Sequence, residues 1–305
     1  MLTQDVERYL VLRRSLGYKL VMFDDRLRSF ARFAVAAGDT HVRTHAALQW
    51  AAAAPTLDAR QRRIQDVATL ARFLAAEDPL HEVPPAGYFG FRRTRPSPYI
   101  YTREEIERLL VAASQGRPNP RNPLRREMNV MLLGLLAATG LRLSEALNLK
   151  VDDQCPGGVL RIRSTKFGKS RLVPLHPTVL AALNRYLRLR RRVLATNDYM
   201  FPASNGRPLH QNTVRHAFRR AVKVAGIAPG RKRRPRIHDM RHTFATRALM
   251  QCGSDRRAVG EHFVALATYL GHVHPASTYW YMEATPDLMS DIAAAAEALV
   301  AGEAA

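Results

Sequence analysis

The segment IHDMRHTFATRALM, residues 237–250, carries two histidines and an arginine at helical spacing. His238, Arg241 and His242 stand at relative positions 0, +3 and +4, and residues three and four apart share one face of an α-helix. A guanidinium is permanently charged and can hold two oxygens of a phosphate or a carboxylate together. The pattern therefore predicts a helix whose polar face binds an anion.

Two other interpretations fit the same letters. HDMRH differs from the zinc-binding pattern HExxH only by Asp in place of Glu, and histidines at i and i+4 can share a metal ion. Against a metal, Arg241 would place a fixed cation beside a dication, and no Glu or His ligand follows closely. His238 and His242 could also be satisfied, purely structural histidines. This segment alone leaves the anion, metal and structural interpretations open.

Length and composition indicate a globular protein. The chain has 305 residues, 47% of them hydrophobic, enough for one large core or two ordinary ones. We find no run of about 18 uncharged apolar residues and no basic, apolar secretion signal at the start. Cys155 and Cys252 are too few for a disulfide framework or a zinc cluster. We therefore expect a cytoplasmic protein in a reducing environment.

The formal net charge of +21 is the most extreme global feature of the sequence. Residues 1–95 contain 15 basic and 10 acidic residues, and residues 96–305 contain 32 and 16. Such an excess raises the local concentration of polyanions and speeds encounter with them. Because both parts are basic, a nucleic acid held from two sides is the favoured partner, with a merely solvated basic surface as the alternative.

Residues 1–78 are predicted to form about four helices. In FDDRLRSFARFAVAAG two aspartates open the segment and Gly38 closes it, as helix termini prefer. In LDARQRRIQDVATLARFLAAED the apolar positions recur as one helical stripe. The members of this stripe are Leu57, Ile64, Val67, Ala71 and Leu74. These features indicate a small helical bundle.

Prolines and arginines interrupt the chain between residues 79 and 98. Such a stretch cannot continue a helix and predicts a stiff, extended, basic segment. We assign the Pro-rich linker itself to residues 91–98. The linker separates an N-terminal domain of residues 1–90 from a second domain of residues 99–305.

The second domain is predicted to open with a helix, because Thr102 and Glu105 form a capping box. A buried helix is predicted for MNVMLLGLLAA, residues 128–138, which the dipeptide Thr-Gly ends. Arg142 follows between two leucines, where a charge is costly to bury without a partner. We expect Glu145 to orient this guanidinium toward an anion, and a simple buried Arg–Glu ion pair is the alternative.

The sequence GVLRIRSTKFGKSRLVPL predicts a β-hairpin. Apolar residues alternate with arginines along its first strand, and Leu172 and Val173 form the return strand. The turn KFGK places Lys166 and Lys169 at the tip. Lysines in loops are usually only solvated, so these two carry little weight by themselves.

Six residues with chemically useful side chains follow one another along the second domain: Arg142, Lys166, His238, Arg241, His272 and Tyr281. Their surroundings are ATGLRLSEALNL, TKFGKSRLVPL, HDMRHTFAT, and YLGH with a tyrosine nine residues after its histidine. In this order they resemble the motifs of the tyrosine recombinase (phage integrase) family. The resemblance spans most of the chain and implies a mainly α-helical fold with a small β-sheet (α+β). It further implies an N-terminal helical core-binding (SAM-like) domain and a C-terminal catalytic domain.

The resemblance implies a site-specific recombinase that cleaves and rejoins DNA through a 3′-phosphotyrosyl intermediate, without metal, ATP or another cofactor. Tyr281 would be the nucleophile and Lys166 the general acid, and Arg142 and Arg241 would clamp the nonbridging phosphate oxygens. A phenol has a pKa of about 10, so surrounding cations are needed to favour the phenolate and the transition state.

The remaining site residues have supporting tasks under the same resemblance. His272 would add a hydrogen bond to the phosphate, and His238 would assist proton transfer at the tyrosine or position the phosphate. Glu145 and His242 are expected to be supporting residues. Tyr279 is the alternative nucleophile.

The expected partner is double-stranded DNA, with no membrane involvement. We expect a homo-tetramer, or a mixed assembly with sibling recombinases, on synapsed DNA, and weak association without DNA. In the family the segment after the tyrosine often docks on a neighbouring subunit, and the chain beyond Pro286 could do so here. The candidate DNA contacts are basic residues: Arg60, Arg62, Arg63, Arg92, Arg93, Lys169, Arg215, Arg219, Arg233 and Arg234.

Two other functions remain open at this point. A type IB-like topoisomerase would use the same residues to relax DNA without exchanging partners. A catalytically idle DNA-binding or architectural protein would bind DNA without forming a covalent adduct.

Overall fold

The computed structural model describes residues 2–18, 20–90, 97–163, 170–193, 198–231, 234–251 and 256–271. Its backbone contacts divide the chain into two compact units, Met1–Pro96 and Ser97–Ala305. Each unit has a large hydrophobic core of its own. None of the helices in these described ranges combines the length and apolarity needed to cross a membrane.

The first unit is helical, as predicted. Its helices are α1 (Leu2–Ser15), α2 (Val21–Ala36), α3 (Thr44–Ala52) and α4 (Leu57–Ala75). Asp24 lies in the first turn of α2, and Thr56 caps α4 by accepting a hydrogen bond from the Ala59 N–H at 3.2 Å. Apolar side chains from all four helices form one core. Amphipathic faces that meet in this way supply most of the stability of such helices.

The predicted stripe of α4 is correct for four of its five residues. Ile64, Val67, Ala71 and Leu74 are buried in the core of the first unit. Leu57 is 53% exposed, so its assignment to the stripe is wrong. It occupies the first helical position, directly after the cap, and the buried side of α4 begins further along the helix.

Residues 79–90 pack on the first unit instead of extending away from it. The Val42 N–H donates to Nδ1 of buried His81 at 3.0 Å, and Phe89 packs against the helical core. The expectation of an extended segment is therefore wrong here, because prolines prevent a helix but still permit packing. Residues 91–96, most of the predicted linker, lie outside the described residues.

The second unit is mostly helical with one small sheet. Its helices are α5 (Arg103–Ser114), α6 (Arg125–Thr139), α7 (Leu143–Leu147), α8 (Pro177–Val193), α9 (Gln211–Val224), α10 (Ile237–Met250) and α11 (Arg256–Leu270). The strands β1 (Gln154–Cys155), β2 (Val159–Ile162) and β3 (Arg171–Pro174) form an antiparallel sheet in the order β1-β2-β3. The predicted α+β class is confirmed.

The predicted hairpin is present as β2 and β3. Leu160 pairs with Val173, and both are buried. Leu172 also lies in β3, as predicted, and is 62% exposed. Successive residues of a strand point to opposite faces, which turns Leu172 outward when Val173 points inward. The hairpin tip, including Lys166 and Lys169, lies outside the described residues.

Local sequence signals fix the ends of α5 and α6. The Thr102 hydroxyl accepts from the Glu105 N–H at 3.2 Å, and the Glu105 carboxylate accepts from the Thr102 N–H at 3.0 Å, which confirms the capping box. Helix α6 is buried along much of its length and ends at Gly140 with φ +60°. Glycine favours this left-handed conformation because it has no Cβ.

The backbone that enters the second unit is tied to α10. The Tyr101 N–H donates to the Thr243 hydroxyl at 3.0 Å, and the Tyr101 hydroxyl donates to the Arg236 carbonyl at 3.2 Å. Arg247 returns a hydrogen bond to the Tyr101 carbonyl at 2.9 Å. These contacts hold the helix that carries the HDMRH motif.

Candidate active site

The start of α10 is capped by an acidic residue of the motif. Asp239 accepts from the Arg236 N–H at 2.8 Å and from the Arg236 guanidinium at 2.6 Å. The imidazole rings of His238 and His242 lie edge to face with centroids 4.8 Å apart. The two histidines therefore share one helix face, as the spacing predicted.

Arg241 is buried and holds the ends of two other helices. It donates from Nη1 to the Gly140 carbonyl and from Nη2 to the Leu270 carbonyl, both at 2.7 Å. Only 2% of Arg241 is exposed. A buried guanidinium needs hydrogen-bond partners, and carbonyls at helix C-termini suit a cation because the helix dipole is negative there.

Arg142 precedes α7 and is held by Glu145. One Glu145 oxygen accepts from the Arg142 N–H at 2.9 Å, and the other accepts from Nη1 at 2.8 Å. Arg142 Nη2 also donates to the Gly271 carbonyl at 3.3 Å. The predicted contact between Arg142 and Glu145 is present. About a third of the Arg142 side chain (33%) remains exposed, enough for a ligand to approach it.

Arg171 is a part of this cluster that the sequence analysis missed. It donates from Nη1 and Nη2 to the two Glu145 oxygens at 3.0 and 2.8 Å, and from Nε to the Tyr269 carbonyl at 2.8 Å. The alternation of side chains along β3 could have predicted that Arg171 points inward, because it lies two residues before the buried Val173. A charge in such a position needs a buried counter-charge.

Glu145 is ionised between its two arginines. Burial by itself raises the pKa of this carboxyl, but hydrogen bonds from Arg171 and Arg142 outweigh burial and lower the pKa to about 2. The carboxylate thus accepts from three groups: both guanidiniums and the Arg142 backbone N–H. Charge-assisted and bidentate hydrogen bonds are the strongest class in proteins.

Three arginines from different parts of the chain meet at the C-terminus of α11. The consecutive carbonyls of Tyr269, Leu270 and Gly271 each accept a hydrogen bond from a guanidinium. Their donors are Arg171, Arg241 and Arg142 in that order. The structure thus brings together Arg142, Arg241 and Glu145 of the predicted site. Lys166, His272 and Tyr281 lie outside the described residues.

His238 is neutral at pH 7. Desolvation by the surrounding protein lowers its pKa first, and the charge of Arg241 lowers it further, to about 4. His238 is exposed to water, which screens part of this effect. A neutral imidazole has a nitrogen that can accept a proton or a hydrogen bond, and the lowered pKa makes this nitrogen a weaker base than that of a solvated histidine. His242 is buried beneath it, with 5% of its surface exposed.

The metal interpretation of HDMRH gains no support from the residues described. Within them, the three-donor group of His, Cys, Asp or Glu is His41, Asp78 and His81 of the first unit. His81 accepts the Val42 N–H at Nδ1, which places the proton of its neutral form on Nε2. His41 binds Asp78 at 3.1 Å. These hydrogen bonds join the chain segment that follows α2 to the segment that follows α4.

The candidate DNA contacts of α4 are engaged within the protein. Arg60 donates to the Ala54 carbonyl at 2.8 Å, and Arg63 donates to the Trp50 carbonyl at 2.9 Å. Arg62 pairs with an aspartate one turn earlier. Arg60 and Arg63 thus donate to backbone carbonyls of the protein itself. Their contact with DNA stays a prediction.

The other candidate DNA contacts divide into two groups. Arg215, Arg219 and Arg234 are exposed, and Arg215 donates to the side chains of Asn212 and Gln211 on its own helix at 3.1 and 3.0 Å. The second group lies outside the described residues and comprises Arg92, Arg93, Lys169 and Arg233.

The sequence of the chain matches those of known proteins. The sequence model of the phage integrase family matches residues 100–287. The chain is 40% identical over 298 residues to y4rB of Sinorhizobium fredii (strain NBRC 101917 / NGR234), named as an integrase/recombinase, with 94% of each protein covered. It is 31% identical over 202 residues to tyrosine recombinase XerD of Vibrio cholerae (serotype O1, El Tor Inaba N16961), with 64% of this chain and 63% of XerD covered.

The fold also recurs among solved structures. The integrase of transposon Tn1549, in complex with circular intermediate DNA, superimposes with a TM-score of 0.66. The match covers 95% of this chain and 97% of that one at 20% identity, so it shows the shared fold alone. The family match over most of the second unit and the 40% identity to y4rB show that this chain is an enzyme of the phage integrase family, a tyrosine recombinase.

Proposed function

We propose that the chain is a site-specific DNA recombinase that cleaves and rejoins DNA through a 3′-phosphotyrosyl intermediate. The observation that carries the proposal is the meeting of Arg142 and Arg241, which hold the neighbouring carbonyls of Gly271 and Leu270. Two guanidiniums at one point, each able to bind two oxygens, suit a tetrahedral phosphate. The names of the relatives, integrase/recombinase and tyrosine recombinase, support the same function.

The proposed chemistry needs a nucleophile, charge stabilisation and an acid. The Tyr281 oxygen attacks phosphorus while the bond from phosphorus to the 5′ oxygen breaks. Arg142 and Arg241 stabilise the charge that develops on the nonbridging oxygens, which is the largest single contribution in many enzymes. Lys166 protonates the departing 5′ oxygen, and neutral His238 accepts the phenolic proton or orients the phosphate.

The remaining residues complete this site. His272 donates a further hydrogen bond to the phosphate, and Glu145 directs the guanidinium of Arg142. A 5′ hydroxyl of a second DNA strand then attacks the phosphotyrosine and restores both the phosphodiester and the phenol. Because one phosphoester bond is exchanged for another, the cycle requires no ATP. The guanidiniums of Arg142 and Arg241 supply the charge stabilisation for which other enzymes use a metal ion.

The proposed partner is double-stranded DNA. The charge of +21 and the exposed arginines of the second unit provide the attraction. Exchange between two duplexes breaks four strands and therefore calls for four tyrosines, which favours a tetramer or a mixed assembly with sibling recombinases. A mobile element is the proposed setting, since one structural neighbour is a transposon integrase.

Nicked suicide substrates test this function. Labelled duplexes from the DNA that flanks the reading frame are incubated with the protein in the presence of EDTA and analysed on a denaturing gel. We expect a covalent protein–DNA adduct that is insensitive to the chelator. Binding without an adduct would indicate an architectural protein, and an adduct or cleavage lost with EDTA would indicate a metal-dependent enzyme.

A second assay separates recombination from relaxation. Supercoiled plasmids with and without the target site are incubated with the protein. Exchange between site-bearing plasmids is expected, whereas relaxation of plasmids of any sequence without exchange would identify a topoisomerase.

A further inference from the structure

One guanidinium links two sides of the candidate site. Arg171, the first residue of β3, holds both carboxylate oxygens of Glu145 with its terminal nitrogens. Its Nε N–H donates to the Tyr269 carbonyl near the end of α11. The side chain is 11% exposed, and that of Glu145 is 7% exposed. Water therefore competes little for these contacts.

The geometry requires arginine at this position. A guanidinium presents its donors in a rigid planar fork, and three of its nitrogens are used here on three oxygens. A lysine ammonium is a single point charge and cannot reproduce both the fork on Glu145 and the bond to Tyr269.

The backbone beyond α11 passes directly against this guanidinium. Gly271 has φ +68°, and a Cβ added there would lie 3.0 Å from Arg171 Nη1 and 3.2 Å from Cζ. Glycine allows both the left-handed conformation and the close approach. Gly271 is also the residue whose carbonyl accepts from Arg142. Arg171 therefore contacts both the carboxylate that directs Arg142 and the chain segment that Arg142 binds.

We infer that Arg171 is a positioning residue for strand cleavage, which fixes Arg142, through Glu145, relative to the C-terminus of α11. This inference rests on the proposed function, because it assigns a task in the same site. Arg171 itself does not touch the phosphate. It sets the direction of a guanidinium that does, and it holds the segment that leads into His272.

Loss of this contact should reduce the rate of cleavage more than the affinity for DNA. Misplacement of a reacting group by about 1 Å can lower a rate about a hundredfold. We therefore expect Arg171→Lys and Arg171→Gln to lower the single-turnover cleavage rate by about tenfold to a hundredfold. The dissociation constant for uncleaved DNA should change less than about threefold, since the phosphate contacts themselves remain.

Arg163→Gln is the matched control. Arg163 also pairs with a nearly buried carboxylate of the same unit, that of Asp153, but it does not contact Glu145 or α11 in the described structure. This variant should lose stability through its orphaned aspartate and keep the cleavage rate of the wild type. A thermal melt of each variant shows whether Arg171→Gln and Arg163→Gln are comparably folded at the assay temperature.

A pH profile distinguishes positioning from simple loss of stability. Among the described residues, the charged groups that contact Glu145 are Arg171 from β3 and Arg142 at the start of α7. Burial raises the pKa of Glu145, and both arginines oppose this effect. Without Arg171 only the Arg142 guanidinium opposes it, so the pKa of Glu145 rises. The cleavage rate of Arg171→Gln relative to the wild type should therefore fall further as the pH drops from 7 to 5.

A double-mutant cycle with Glu145→Gln provides the second readout. If Arg171 acts through Glu145, Arg171→Gln should slow cleavage several-fold less in the Glu145→Gln background than in the wild type. Full additivity, together with a rate ratio that is constant with pH, would overturn the inference. A wild-type rate in Arg171→Gln would overturn it as well.

Failure of the proposed function gives a different pattern. A wild-type protein without any covalent adduct would refute the recombinase chemistry, and the melting temperatures then test the contact directly. The Tm difference between wild type and Arg171→Gln should be largest at pH 7 and should shrink toward pH 4, because Glu145 is ionised only in the wild type at the lower pH. A difference that does not change with pH would refute the positioning contact too.

Discussion

Arg241 donates to the carbonyl oxygen of Gly140 at 2.7 Å, across 101 residues of sequence. This hydrogen bond joins a proposed phosphate ligand to the glycine that ends α6. The same glycine leads into Arg142, two residues later. The geometry of the site thus depends on a backbone turn as much as on charged side chains.

Gly140→Ala should destabilise the protein more than Gly157→Ala. Both glycines have positive φ, +60° and +76°, so an alanine costs about 1–2 kcal/mol at either position. At Gly140 the new Cβ would also lie 2.7 Å from the ring of Phe244, which adds about 1–3 kcal/mol of overpacking. At Gly157 it meets nothing within 4 Å. Urea denaturation followed by circular dichroism measures both, and equal losses would contradict the packing argument.

Arg241→Lys should slow cleavage while the chain remains folded. The lysine keeps the charge but loses the fork that holds two carbonyls and would hold the proposed phosphate. We expect a loss of about a hundredfold to a thousandfold in single-turnover rate, as for removal of one donor from an oxyanion site. Arg190→Lys is the control, because Arg190 of α8 is equally buried and also donates to a backbone carbonyl, that of Tyr199. If both variants cleave equally slowly, stability explains the effect.

Tyr281→Phe should abolish the covalent adduct and retain DNA affinity. The substitution removes one oxygen, the proposed nucleophile, and leaves every cation in place. Tyr279→Phe is the matched variant two residues away, and it should still form the adduct. Electrophoresis of suicide-substrate reactions under denaturing and native conditions measures both properties. An adduct that survives in Tyr281→Phe and disappears in Tyr279→Phe would move the nucleophile to residue 279.

The stability of the protein should depend on His238 at mildly acidic pH. Its folded-state pKa is lowered to about 4, chiefly by desolvation and then by Arg241. An unfolded histidine titrates near pH 6.5, so the unfolded chain binds more protons between pH 6.5 and 4. Stability therefore falls as the pH drops through this window. His238→Gln lacks this contribution, and its Tm should fall less steeply than that of the wild type; parallel curves would contradict the lowered pKa.

Deletion of residues 286–305 should impair recombination more than DNA binding. The expectation follows from the family resemblance, because the segment after the tyrosine often docks on a neighbouring subunit in that family. Docking of this segment here would couple cleavage to assembly. Gel-shift affinity for one site and exchange between two sites are measured in parallel. A deletion variant that recombines at the wild-type rate would show that the segment has no such task.

Local patterns were enough to predict most helices and one key contact. Apolar stripes and caps marked α4, α5 and α6, since these signals lie within a few residues of one another. The contact between Arg142 and Glu145 was predictable for the same reason, because it spans three residues. The sequence motifs also led to the correct family, and its fold followed from that resemblance.

Contacts between distant segments escaped prediction. Arg171 lies 26 residues from Glu145, and no spacing rule links a strand to the start of a helix across a hairpin. The convergence of three arginines on the carbonyls of residues 269–271 depends on where α11 ends in space. The prediction for residues 79–90 was wrong for another reason. Their composition excluded a helix but did not indicate which part of the protein they would pack against.

Tyr101 determines where an isolated catalytic fragment can begin. Helix α5 starts at Arg103, so a boundary drawn at the first helix would discard Tyr101. That cut would remove the Tyr101 N–H, which donates to the Thr243 hydroxyl, and the Tyr101 carbonyl, which accepts from Arg247. Thr243 and Arg247 both belong to α10. A fragment that starts at Ser97 keeps them, and it should melt at a higher temperature than one that starts at Arg103.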